Sequence, residues 1–168
     1  MNSSDKKRNR RVLRVKTLQI LYAYEMNKEG LTALTDGILS DIENKNDKEF
    51  SVQLVNKVIA SQKELDQKIK EKVDNWEMAR IALIDKLLLR IGIAELLYFP
   101  DIPPKVSINE VIEIGKDYST SNSGKFINGI LDAILSDLKE EGKLNKTGRG
   151  LIDESLPKKS PKKQQPEE

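Results

Sequence analysis

The chain contains no cysteine and no histidine. The first absence excludes disulfides, thiolate metal sites and cysteine nucleophiles. The second removes the commonest general base and the commonest metal ligand. A zinc site would have to be assembled from carboxylates alone, a poor donor set for that ion. Nor is there a phosphate-cradling glycine motif of the Walker or dinucleotide type. The sequence therefore reads as a non-enzyme that uses no cofactor and no metal. Long apolar runs are missing too. Asp85, Arg90 and Glu95 interrupt the most apolar stretch, so nothing reaches the ~18–20 residues of a membrane span. The N-terminus lacks the apolar run of a signal peptide, which makes the cytoplasm the expected compartment. Aromatic residues are scarce at 5%, against 33% charged residues. That balance suits helices with solvated, ion-paired faces better than a sheet.

What is present is charge, unevenly placed. The 168 residues have a net charge of +2. Residues 1–16 alone carry +6, residues 17–145 carry −6, and residues 146–168 carry +2. A basic end on an acidic body points to a localised contact with a polyanion.

The apolar periodicity is helical throughout. Residues 1–7 read as a flexible basic start. Leu13, Thr17, Ile20, Leu21 and Tyr24 share one stripe of a first helix over about 8–26. Leu34, Ile38 and Ile42 mark a weaker helix over about 32–43. Phe50, Leu54, Val58, Leu65, Ile69 and Val73 line one face of a long helix over about 48–73. Asp74-Asn75 is a break and cap, followed by a short helix or turn to Arg80. Residues 83–98 are apolar around most of the circumference, the mark of a buried central helix. Pro100, Pro103 and Pro104 stop it. Ser107-Ile108-Asn109-Glu110 has capping-box spacing and is expected to open the next helix, to about Tyr118. A Ser/Asn/Gly loop over 119–124 leads to a last helix over 125–141. The expected fold is all-α, with six or seven helices in two packed subdomains meeting near residue 74. The Lys/Pro/Gln-rich stretch 142–168 has too few apolar residues to offset its ordering entropy and reads as disordered.

Three features carry possible chemistry. Arg10, Arg11 and Arg14 are spaced i, i+1 and i+4, on one side of helix 1. Arginine can grip a phosphate with two parallel bonds, and Tyr22 and Tyr24 lie further along the same helix. Cations beside exposed rings suit single-stranded nucleic acid. Composition alone weighs this evenly against a solubilising helix start, although cations at a helix N-terminus oppose its dipole. Asp85, Arg90 and Glu95 sit on the most buried helix. There they either pair with other helices or reach a wet edge, with a protein-binding edge as the alternative. Phe126 reads more readily as core than as a stacking platform. Gly129, inside the last helix, costs ~1 kcal/mol relative to alanine, which a close helix–helix contact would explain.

Four segments in order extend this picture: Arg14-Val15-Lys16-Thr17-Leu18-Gln19-Ile20-Leu21-Tyr22, Asp85 to Leu96, Ile102 to Glu113, and Lys125-Phe126-Ile127-Asn128-Gly129-Ile130-Leu131-Asp132. In that order and spacing the chain resembles the NusB family of transcription antitermination factors over about residues 8–140. The resemblance implies an all-helical fold of two packed subdomains. It implies binding of boxA-type single-stranded RNA, a heterodimer with the small-subunit ribosomal protein NusE, and work beside RNA polymerase in the antitermination complex on ribosomal RNA operons. It carries RNA contacts over to Arg10, Arg11, Arg14 and Tyr22, and to Lys125 and Phe126 at the start of the last helix. It assigns Asp85 to the partner surface. Val12 and Leu13 split the arginine run, and Lys6, Lys7 and Arg8 supply charge upstream, with Lys7 counted among the RNA contacts. The stretch after Glu141 has no counterpart in the family core. A homodimer of the free protein is left open.

Two rival readings stay in view. A similar helical module precedes the catalytic domain of ribosomal RNA cytosine methyltransferases, although this chain has no room for a cofactor-binding α/β domain. A helical adaptor that binds only protein would use the basic end to dock on an acidic partner.

Overall fold

The computed structural model describes residues 2–152. Eight α-helices and one 3-10 turn make up the regular structure of those residues, without a strand. Helix α1 spans Ser3–Asn27. It begins well before the expected boundary, so residues 3–7 are helical rather than a flexible start. The Asn2 side chain caps it by accepting from the Ser3 amide, Asp5 complements the dipole in the first turn, and Asn9 donates to Asp47. The helix ends where Lys28 turns left-handed at φ 58° and its amide donates to the Tyr24 carbonyl. Gly30 follows at φ 72°, a conformation for which the lack of a Cβ is an advantage.

Helix α2 (Leu31–Ile38) is shorter than its apolar spacing suggests, because Ser40 Oγ donates to the Gly37 carbonyl and closes its last turn. The expected single helix over 48–73 is two, α3 (Lys45–Ala60) and α4 (Gln62–Lys70), broken at Ser61. Val58 and Leu65 lie seven residues apart on either side of the break and both are buried. Two full turns keep the stripe in phase, so periodicity does not register the interruption. Helix α5 (Asn75–Arg80) opens on the expected break, with a capping box between Asp74 and Glu77.

Helix α6 (Leu83–Tyr98) is the centre of the molecule. Helices α1, α3 and α4 pack on it from one side, α7 (Pro104–Tyr118) and α8 (Ser123–Glu140) from the other. Leu88, Leu89, Ile91, Ile93 and Ala94 are all fully buried. Each buried leucine or isoleucine is worth roughly 1.5–3 kcal/mol relative to exposure, so both groups of helices are tied to this element. Gly92 lets α8 approach closely, since a Cβ there would lie 2.9 Å from Leu131 Cδ1. Gly129 differs from expectation: it is exposed and faces nothing within 4 Å, so close packing does not account for it.

Pro104 stands at the first position of α7, where its missing N–H costs nothing. Ser107 is therefore one turn inside the helix rather than its cap. Its hydroxyl donates 2.9 Å to Glu95 Oε1, a buried acceptor that outcompetes the local capping role.

Part of the segment expected to be disordered is seated on the body. After α8, Gly142 turns at φ 66° and the chain runs back to the end of α6. Lys146 Nζ donates to the carbonyls of Glu95 (3.1 Å) and Phe99 (2.9 Å), a cation placed on the open carbonyls of a helix C-terminus. The Thr147 amide donates to the Pro100 carbonyl at 3.0 Å. A 3-10 turn, Gly148–Leu151, follows. Few apolar contacts are needed, because the bonds go to backbone groups that composition does not reveal. The remainder of the expected tail lies outside the described residues.

Candidate nucleic-acid interface

The basic start of α1 divides into three environments. Arg14 is 2% exposed. Its Nε and Nη2 donate to both oxygens of Glu95 at 2.8 and 2.7 Å, and Glu95 is itself fully buried. Burial pulls against the charge on Arg14, but attraction to Glu95 and the two hydrogen bonds outweigh it, and the pKa is raised. Arg11 reaches α7 and donates to Glu110 at 2.8 and 3.0 Å. Its side chain is 41% exposed, so only one edge of the guanidinium is taken. The hydrogen bonds to Glu110 raise its pKa.

Arg10 is placed differently. Its guanidinium lies over the Phe50 ring, 4.0 Å from the centroid, and Phe50 meets Phe99 edge-on at 5.7 Å. Burial and the nearby Arg14 charge lower its pKa, though an arginine stays cationic under such pressure. Among the described residues it has no carboxylate within ion-pair distance. It opens onto a cleft of about 290 Å³ between the start of α1, the α6–α7 connector and the returning C-terminal segment. Lys6, Lys7, Arg10 and Arg149 line it, with Asp101 as the unpaired acid. Arg14 and Glu110 reach it already neutralised by their partners. The cleft is thus net positive, with a rigid aromatic floor beneath one of its cations.

The three arginines are therefore not equivalent. Arg14 is the least available of the three, because its Nε and Nη2 are held by a buried carboxylate. Lys7 and Arg10 line the cleft, and Arg11 stands beside it. Tyr22 is 42% exposed on the outer face of α1 but does not line the cleft. Lys125 is exposed in the first turn of α8, and half-buried Phe126 packs against the core. Neither lines the cleft. Asp85 is 8% exposed, and Ser123 Oγ donates to its Oδ2 at 3.0 Å. The residue pins the start of α8 to α6, and its carboxylate is buried beneath that helix start. The other buried charges are paired across helices as expected, Glu95 with Arg14 and Arg90 with Asp66.

Sequence reading missed Arg149 and the acceptors that disarm Arg11 and Arg14. Glu95 in an apolar helix signalled a buried partner without saying which cation it takes, and Glu110 was read as part of a capping box rather than as an acceptor for Arg11. Among the described residues no cluster of acidic side chains could hold a metal, and no helix is long and apolar enough to cross a membrane.

The NusB family model matches residues 11–136. The transcription antitermination protein NusB of Chloroherpeton thalassium is 48% identical over 147 residues, 86% of this chain and 70% of that protein. Among solved structures, NusB of T. maritima is 35% identical with a TM-score of 0.73, covering 80% of this chain and 97% of that one. A structure of the antitermination factors NusB and NusE in complex with dsRNA contains a chain 26% identical, with a TM-score of 0.70, covering 77% of this chain and 98% of that one.

Proposed function

The chain belongs to the NusB family, and from that premise we propose that it is a transcription antitermination factor that works by assembly rather than by chemistry. The cleft at the start of α1 captures RNA, and the acidic body holds a protein partner. The observation that carries this reading is the cleft itself: Lys6, Lys7, Arg10 and Arg149 converge there with a single unpaired carboxylate. Arg11 lends a partly free guanidinium at the rim.

The RNA is a boxA-type single strand, the protein partner is NusE, and the complex acts beside RNA polymerase on ribosomal RNA operons in the cytoplasm. The solved relative bound to NusE and dsRNA supports RNA and NusE as the classes of partner. Phosphate recognition by Lys7 and Arg10 supplies affinity whatever the strandedness. Tyr22, Lys125 and Phe126 lie outside the cleft and would contact RNA only along an extended path over α1 and α8. No free aspartate side chain at position 85 is needed by this reading.

A gel shift with boxA-type RNA, with and without NusE, and with a scrambled RNA as control, tests the proposal. Binding of boxA-type RNA that NusE tightens is the expected result. Equal binding of the scrambled RNA in the presence of NusE would reduce the function to a general polyanion contact.

A further inference from the structure

Resting on the RNA-binding reading above, we propose that Arg149 is a further phosphate-binding residue of the cleft, held in place by the seated strap of residues 143–152. The strap forms the side of the cleft across from α1 together with the α6–α7 connector. Arg149 lines the cleft and is exposed. Among the described residues it has no carboxylate within ion-pair distance. Its charge is therefore open to a ligand, whereas Arg14 is held by Glu95 and Arg11 is half committed to Glu110.

The position of Arg149 is not incidental. Lys146 and Thr147 fix the strap to the last carbonyls of α6 and to Pro100 by three hydrogen bonds. Gly150 then lies flat on the connector, where a Cβ would stand 1.9 Å from the Pro100 carbonyl oxygen. No side chain fits at that distance, so glycine at 150 is what lets the strap seat. The two neighbours act together: Gly150 docks the turn and Arg149 points its charge into the cleft. A phosphate in the cleft then meets cations from both sides, Lys7 and Arg10 from α1 and Arg149 from the strap. The connector adds Asp101, whose negative charge lies beside Arg10 and makes a second positive wall more valuable.

The test is RNA affinity as a function of salt for the full chain with a boxA-type RNA oligonucleotide. Each phosphate contact on a single strand contributes about 0.7 to the slope of log K against log[salt], or about fivefold in affinity at 0.1 M salt. Arg149→Ala should flatten the slope by about 0.7 and weaken binding about fivefold, with an unchanged melting temperature. Gly150→Val should unseat the strap and give the same loss, and the double variant should lose no more than Gly150→Val alone. An Arg149→Ala protein that keeps the parent slope overturns the inference while leaving RNA binding intact. A Gly150→Val protein that binds like the parent overturns the role of the seated strap. Absence of salt-dependent binding by the unsubstituted chain would instead refute the underlying RNA reading.

Discussion

The first two turns of α1 and the two that follow carry the same residue types to opposite ends. Lys7 and Arg10 face a cleft, and Arg10 rests on an aromatic ring with no carboxylate within ion-pair distance among the described residues. Arg14, one turn on from Arg10, is sealed against Glu95. Arg11 is intermediate, half committed to Glu110. Spacing along a helix says which side chains share a face, but the function of a cation is decided by what the rest of the chain places opposite it. Here α6 and α7 contribute buried acids to the inner turns, while the outer turns have Asp101 and Asp47 nearby and no ion pair with either among the described residues.

That division can be broken from its buried side first. Arg14→Met leaves the Glu95 carboxylate buried with only the Ser107 hydroxyl as its side-chain partner. Removing one member of a buried pair costs about 3–5 kcal/mol, so urea denaturation should show a loss of that size. Adding Glu95→Leu should restore most of it, because a buried ion pair and a packed apolar pair are often near equal in stability. If Arg14→Met melts like the parent, the pair is not structural and the division falls.

Arg11→Ala is the intermediate case. Glu110 is 2% exposed, but the arginine is half open to water. A loss of about 1–2 kcal/mol follows, within the range for hydrogen bonds to charged groups after allowance for exposure. Its RNA affinity should fall by less than that of an Arg10→Ala protein. Lys7→Ala with Arg10→Ala has the smallest expected effect on stability. The chief loss is the cation–π contact with Phe50, about 0.5–1 kcal/mol, read by thermal melting.

Much of the fold was legible in the sequence, for reasons particular residues make clear. The circumferential apolar surface of residues 83–98 declared α6 as the centre, and Asp74 announced the cap of α5. The break at Ser61 was hidden because Val58 and Leu65 stay in phase across it. The helical start at Ser3 was hidden because polar residues carry no periodic apolar signal. The strap was hidden because Lys146 and Thr147 bond to backbone carbonyls. For the candidate site, the sequence located the charge on the correct helix. It grouped Arg14 with Arg10 because an i, i+4 relation fixes direction, while burial depends on α6 and α7. Asp85 was legible as a charge on the most buried helix, but not its partner, because Ser123 reaches it from a helix 38 residues away in sequence.

The division of α1 into a binding start and a structural middle is tested most directly by the salt dependence of RNA affinity in two variants measured side by side. Lys7→Ala/Arg10→Ala should flatten the slope of log K against log[salt] by about 1.4, two phosphates at ~0.7 each. Arg14→Met/Glu95→Leu should keep the parent slope. A parent-like slope in the first variant, or a flattened slope in the second with the protein still folded, would contradict the account.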